Sequence, residues 1–395
     1  MRATVVHRSF NVLGGAERVA LVTIEALQEM GFKVSLVTVH RPEFNALKKV
    51  YDTNIKVDKV SSVLPPHMDF STWPIHLQAL PMLLTLPLCS SIKADLVINT
   101  HAETNLPYCT LTLPYFQPNG APLISYIHDP PNHSLFLTRG YPSKYRQSTL
   151  WRLYFTLYRL LFGLAFDYLE RYTLTRSLIL TNSEFTKRAI KSLYPEVEPI
   201  VVRPPVDVET FTRALKSKGR EDRILVIARI SPEKQLENAI ELAKLLPKEI
   251  ECTIVGTFRP SERTLDYYMR LREMIKHYKL EKKVEIKTNI SLSELLKLIA
   301  RSKVYLHTRP GEPFGIAIVE AVAAGLIPVV PDYGGQAEFI PKKYQYHKMT
   351  EAAEIIEKCL SASEGERTEI SRISRQFSEE KFKSRIKAIV GSVIS

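Results

Sequence analysis

The sequence predicts an α/β fold made of two Rossmann-like domains facing each other across a cleft, and three observations predict it. Short β-branched runs alternate with helix-length segments, the pattern of βαβ units and parallel sheets. The alternation runs once through each half, and the halves meet at the proline pair of "RPPVD", Arg203–Asp207. At 395 residues the chain is too long for one ordinary core and suits two of roughly 200 residues.

In the first half, Thr4–His7 reads as a strand and Gly15–Met30 as a helix. Further strands follow at Lys33–Val39, Asp95–Thr100, Leu123–His128 and Leu178–Thr181. In the second half, strands are expected at Arg223–Ile230, Glu251–Gly256, Val284–Ile290, Lys303–Thr308 and Leu326–Pro331. Helices are expected between and after them at Glu233–Leu246, Ser261–Leu280, Ser291–Ala300 and Phe314–Ala324. The tail, Arg372–Ser395, is helical and basic. The expected division is therefore 1–205, 206–375 and a C-terminal helix over 376–395.

A net charge of +12 favours anionic partners such as nucleotides, phospholipid surfaces or nucleic acid. No RNP, KH, helix-turn-helix or zinc pattern is present, which argues against nucleic acid. Cys89, Cys109, Cys252 and Cys359 lie far apart with no CxxC, so neither a disulfide framework nor a zinc site is expected and a reducing compartment fits. The opening "MRATVVHRSF" lacks the apolar core of a signal peptide. The most apolar stretch, Trp73–Ile92, is broken by Pro74, Pro81 and Pro87 and reads against a membrane span. Leu150–Tyr172 sets Arg152 and Arg159 seven residues apart on one helix face beside many Leu and Phe residues. It reads as an interfacial helix on an anionic membrane or as a core helix of the first domain.

The chemistry-bearing motifs all follow strand ends, where open parallel sheets bind ligands. In "HTRPGEPFGIAIVEAVAAG", His307–Gly325, a loop with Glu312 and Pro313 leads into a helix carrying Glu320. The backbone N–H groups near Phe314, Gly315 and Ile316 form an anion site with the helix dipole. Glu320 could accept hydrogen bonds from two adjacent hydroxyls, as carboxylates do for ribose in dinucleotide folds. Read alone, the two glutamates suit a solvated loop charge and a paired helix residue equally well. In "ARISPEKQ", Arg229 and Lys234 place two cations suited to a diphosphate at the mouth of a βα unit, or two ordinary surface cations. "NVLGGAERV", with Gly14 and Gly15, and "DYGGQAEF", with Gly334 and Gly335, read as tight turns or close-approach loops. His128 closes the strand of "SYIHDPP", a structural position or one pointing into the cleft.

Together, "LGGAERV", "ARISPEK" and "RPGEPFGIAIVEAVAAGLIPVVPDYGGQAEFI" resemble glycosyltransferase family 4, retaining sugar-nucleotide-dependent enzymes of the GT-B fold. The resemblance covers nearly the whole chain. Within the family, "YIHDPP", "RPPVD" and the His307–Gly325 stretch look most like GDP-mannose-dependent mannosyltransferases that extend dolichol-linked oligosaccharides. It implies that Glu312 touches the donor sugar, Glu320 holds the ribose, and Arg229 and Lys234 neutralise the diphosphate. It further implies that Gly14 and Gly15 approach the diphosphate and acceptor, and that His128 contacts the sugar near the reacting centre. The first domain would bind a lipid-linked or glycan acceptor, the second the nucleotide-sugar donor, and the last helix would cross back to the first. No DxD motif follows a strand, so no cofactor and metal independence are expected. A cytoplasmic enzyme, peripheral on the inner face of a membrane, is the implied location. The "TRPGEPFG" loop departs from the family and opens the question of sugar choice. The alternatives are a UDP-sugar-dependent glucosyl- or N-acetylhexosaminyltransferase on a lipid or polysaccharide acceptor, and a sugar-nucleotide epimerase.

Overall fold

The structure, a computed structural model, describes residues 1–11, 14–51, 53, 55–65, 93–101, 120–129, 174–217 and 219–394. Arg152, Arg159 and the Leu150–Tyr172 segment lie outside these residues, as does Trp73–Ile92. The chain divides into two compact units, Met1–Pro205 with Glu380–Ser395, and Val206–Glu379.

The first unit is a seven-stranded parallel sheet in the order β3-β2-β1-β4-β5-β6-β7. Its strands are β1 (Arg2–Val6), β2 (Lys33–His40), β3 (Lys59–Leu64), β4 (Leu96–Asn99), β5 (Leu123–Ile127), β6 (Leu178–Thr181) and β7 (Ile200–Val201). The strands are apolar runs rather than alternating ones because a parallel sheet is covered on both faces; β4 and β5 are buried throughout. Helix Gly15–Glu29 buries Val19, Leu21, Ile24 and Leu27 against the sheet. The C-terminal helix, Glu379–Ile394, packs into the same core through Phe382, Ile386, Ile389 and Val390. Lys383 of that helix bonds Glu25 and Glu29 of the first helix at 3.0 Å each.

The second unit is a six-stranded parallel sheet in the order β10-β9-β8-β11-β12-β13. Its strands are β8 (Glu221–Ile227), β9 (Glu251–Gly256), β10 (Val284–Thr288), β11 (Ser302–Leu306), β12 (Ile327–Pro331) and β13 (Gln345–Tyr346). Two of its helices begin at serine caps: Ser261 and Ser291 each complete a capping box, with Thr264 and Glu294 respectively. Where the chain enters this unit and where it leaves, Val206 N donates to Phe377 O at 2.9 Å, tying the two passages together.

Two helices differ from expectation. The segment Glu233–Leu246 is split into a 3-10 turn, Pro232–Lys234, and a helix, Glu237–Leu245. The split falls at Gln235, whose φ of 51 lies in the left-handed region. The tail is likewise not one helix from Arg372: a 3-10 turn, Ile373–Phe377, and extended Ser378 precede Glu379–Ile394.

Candidate active site

In each sheet the strand order reverses once, between β1 and β4 in the first unit and between β8 and β11 in the second. At such a point the loops from two neighbouring strands diverge, leaving a crevice at their carboxyl ends.

In the second unit the β8 loop supplies Arg229 and Lys234, and the β11 loop supplies His307, Arg309 and Glu312. The two loops are joined: Thr308 Oγ1 donates to Lys234 O at 2.8 Å, and Asn238 Nδ2 donates to Thr308 O at 3.2 Å. Lys234 Nζ donates to Glu312 Oε2 at 2.8 Å, uniting two residues 78 positions apart. His307 Nε2 and Arg309 Nη1 lie 3.6 and 3.7 Å from the same oxygen. The Glu312 side chain is 14% exposed. Burial alone would raise its carboxyl, but Lys234, His307 and Arg309 outweigh that and hold it at about 2. Burial drives His307 down to about 4; Glu312 opposes this, while Lys234 and Arg309 add to it. The imidazole is therefore neutral near pH 7.

Glu312 is fixed through its backbone as well. Its carbonyl accepts from Gly335 N at 2.8 Å, and it bridges to Gly334 on the β12 loop. Gly334 has φ of +135, and a Cβ there would come within 2.8 Å of Glu312 O, so no side chain fits. Helix Ile316–Ala323 begins at Gly315, φ +94. Ile318 and Val319 N donate to Gly315 O, which leaves the N–H groups of Gly315, Ile316 and Ala317 without an intrahelical acceptor. These N–H groups and the helix dipole suit an anion.

The Phe314 ring is buried against Phe339 and Phe377 and so turned away from solvent. Pro313 is buried and Ile316 half-buried. Glu320 is half-buried, one helical turn in. Burial, then the charges of Glu312 and Glu320, push the Tyr305 hydroxyl well up. Arg229 is not drawn into this cluster. Its side chain is 61% exposed and lies 3.8 Å from Glu233.

In the first unit, His7 follows β1, His101 lies just beyond β4 and His128 follows β5. His128 Nε2 donates to Thr100 O at 2.8 Å, and its ring lies 4.8 Å from Tyr126 and 5.8 Å from His101. His7 Nδ1 bonds Thr100 Oγ1 at 3.0 Å, and its Nε2 lies 3.8 Å from Glu17 Oε1. Burial would raise the Glu17 carboxyl, but His7, His101 and its own backbone N–H lower it overall. The ligand atoms of His7, Glu17 and His101, all buried, lie within 4.8 Å of one another. A tetrahedral zinc site sets its ligands about 3.4 Å apart. The His7–Glu17 separation thus has the spacing of a charge pair that a metal would have to draw inward. Glu17 also folds back over the glycine turn, since a Cβ on Gly14 would stand 3.2 Å from its Oε2. The start of the first helix is therefore met by a carboxylate of its own chain, unlike the helix after Glu312.

Sequence reasoning did not nominate His7, Glu17, His101, His307 or Arg309. His307 and Arg309 were signalled only by adjacency to Glu312. The first-unit cluster depends on residues 93 apart in the chain, as in the His7–Thr100 bond.

Two parallel, doubly wound units with polar groups gathered at their switch points define a protein of GT-B type. Anabaena HepE in complex with UDP and glucose has this fold: TM-score 0.71 and 18% identity over 99% of this chain and all 100% of that one. The model "Glycosyltransferase Family 4" matches residues 13–210 and "Glycosyl transferases group 1" matches 207–377, and the chain belongs to glycosyltransferase family 4. It is 25% identical to the GDP-Man:Man(3)GlcNAc(2)-PP-Dol alpha-1,2-mannosyltransferase of Neurospora crassa, across 96% of this chain and 77% of that protein. It is 24% identical to the alpha-1,3/1,6-mannosyltransferase ALG2 of Kluyveromyces lactis, across 83% of this chain and 69% of that protein.

Proposed function

We propose that this glycosyltransferase moves mannose from GDP-mannose to a lipid-linked oligosaccharide or related glycan, with retention at the anomeric carbon. The observation that carries the donor reading is the Lys234–Glu312 pair beside the open N-terminus of Ile316–Ala323. There a diphosphate finds a cation and backbone donors, and a sugar finds a fixed carboxylate. Glu320, farther along the helix, takes the ribose hydroxyls. Arg229, exposed at the β8 end, is free to swing onto the diphosphate after leaving Glu233. The acceptor is assigned to the first unit, where His128 follows β5.

Transfer breaks the bond between the anomeric carbon and the phosphate oxygen and forms one to the acceptor oxygen. Positive charge grows on the sugar and negative charge on the leaving diphosphate. Preorganised donors at that diphosphate are the largest available source of rate enhancement. A retaining double displacement needs a carboxylate nucleophile opposite the leaving group. With Glu312 on the sugar hydroxyls and Glu320 on the ribose, front-face attack is the consistent route. The acceptor hydroxyl's proton then passes to the departing phosphate oxygen.

The mannose and lipid-linked assignments draw on the activities named for the Neurospora and Kluyveromyces relatives. The test is a thermal-shift screen of GDP- and UDP-sugars followed by product analysis on a lipid-linked acceptor. GDP-mannose should stabilise the protein most, since a ligand bound only to the folded state raises its melting temperature. Turnover of UDP-glucose but not GDP-mannose would replace this donor assignment. A changed sugar without any acceptor would indicate an epimerase.

A further inference from the structure

Lys234 is wanted in two places. In the free protein it is bound to Glu312 Oε2 at 2.8 Å, and the proposed function asks it to meet the donor's diphosphate. A diphosphate carries at least twice the charge of a carboxylate, so the donor wins the ammonium. Glu312 must then stay ionised in a pocket where its side chain is 14% exposed. A buried charge that loses its partner is costly to keep.

Two loops reach this carboxylate, the β8 loop with Lys234 and the β11 loop with His307 and Arg309. Tyr305 of β11 feels the charge of both Glu312 and Glu320. Glu312 cannot follow Lys234, because its backbone is held to Gly334 and Gly335. His307 cannot supply a charge, since it is neutral near pH 7. It is well placed to supply a hydrogen bond: its backbone N donates to Val329 O at 2.9 Å and its carbonyl accepts from Tyr346 at 2.7 Å. Its buried Nε2, 3.6 Å from Glu312, has no hydrogen-bond partner among the described residues. Arg309 is the second permanent cation, its guanidinium 3.7 Å from Oε2 and on the same loop. Lys234, His307 and Arg309 all approach Oε2, so none of these contacts occupies Oε1.

We propose that Arg309 is a positioning residue that holds Glu312 ionised and aimed once donor binding draws Lys234 away, with His307 Nε2 steadying the same oxygen. This role rests on the donor reading given above. Arg309 acts through Glu312 and not on the diphosphate.

The test compares Arg309→Gln and Arg309→Lys with the parent. In Arg309→Gln the acidic limb of kcat at saturating donor, which reports the donor-bound protein, should move up by about one pH unit, the scale of removing one nearby opposite charge. Arg309→Lys should restore it. Affinity for the nucleoside alone, guanosine or uridine, which brings no phosphate to draw Lys234 away, should stay within about twofold of the parent, far below the tenfold change that one pH unit represents. An unmoved acidic limb overturns the role, and so does an equal loss of affinity for donor and nucleoside. If the parent binds neither GDP nor UDP, the donor reading itself has failed and takes this role with it. A ligand-free readout stands apart from both. Unfolding midpoints near pH 7, where Glu312 is ionised, for Lys234→Ala, Arg309→Gln and the double variant should be non-additive, the double losing more than the sum, because each cation covers for the other. Additive losses would mean that the two do not share Glu312.

Discussion

Glu312 and Glu320 differ in what surrounds them, and so in what their loss should do. Glu312 is met by three groups on one oxygen, whereas Glu320 lies half-buried on a helix face. A ribose contact is equally strong before and during the reaction, so removing it weakens binding without slowing the chemical step. Glu320→Gln should therefore raise the donor KM while kcat holds; a normal KM with collapsed kcat would reassign the residue. His307 gives a pH signature that needs no substrate. Its folded value, about 4, lies below the ordinary 6.5, so below pH 6.5 the unfolded chain takes up a proton that the folded one refuses. The resulting loss of stability begins near pH 6.5 and is complete below pH 4. His307→Gln should flatten the melting-temperature profile across that window, and an unchanged profile would mean that the ring takes up its proton in the folded protein. Both glutamates were visible in the sequence as candidates, although their spacing alone favoured no role. Their surroundings were not, because the Lys234–Glu312 bond spans 78 residues and His307 reads alone as a structural strand-end histidine.

At the scale of elements, the turn before helix Ile316–Ala323 is the most exacting piece of backbone in the site. Gly315 sits at φ +94, and a Cβ there would stand 2.5 Å from Ile318 Cδ1. Gly315→Ala should cost about 1–2 kcal/mol from backbone strain alone. It should also weaken nucleoside diphosphate binding as the N–H groups of the first turn are displaced. Calorimetry and a GDP titration check the two effects, and an unstrained, fully binding variant would show that the helix start is not the anion site. The same elements show why some strands were readable. Apolar runs such as "LVIN" and "LISYI" declare buried parallel strands. "KVSSVL" is broken by Ser61 and Ser62, and β7 and β13 are two residues each, too short for any period to register. The expected helix from Glu233 failed at Gln235, where a left-handed backbone in a non-glycine residue carries no sequence signal.

At the scale of the molecule, a net charge of +12 has to be reconciled with a proposed acceptor that is anchored in lipid. Among the described residues no helix is long and apolar enough to cross a membrane. We propose that attraction of this basic chain to an anionic leaflet brings it to that acceptor. In sequence, the segment best suited to that task is Leu150–Tyr172, where Arg152 and Arg159 accompany Leu153, Phe155, Leu160, Phe162 and Phe166. A basic residue near an anionic surface contributes about 1 kcal/mol, and reversing its sign turns that attraction into repulsion. Two reversals therefore change the balance by several times thermal energy, enough to shift a marginal partition. The variant with Arg152→Glu and Arg159→Glu should stop co-sedimenting with phosphatidylserine-containing liposomes. It should lose activity on a long-chain lipid-linked acceptor yet keep it on a short soluble analogue, which separates lost docking from a damaged site. Raised salt should release the parent from the same liposomes, because screening weakens surface attraction. If the double variant sediments as the parent does while remaining folded, the segment belongs to the core of the first unit and the membrane contact must be sought elsewhere on the basic surface.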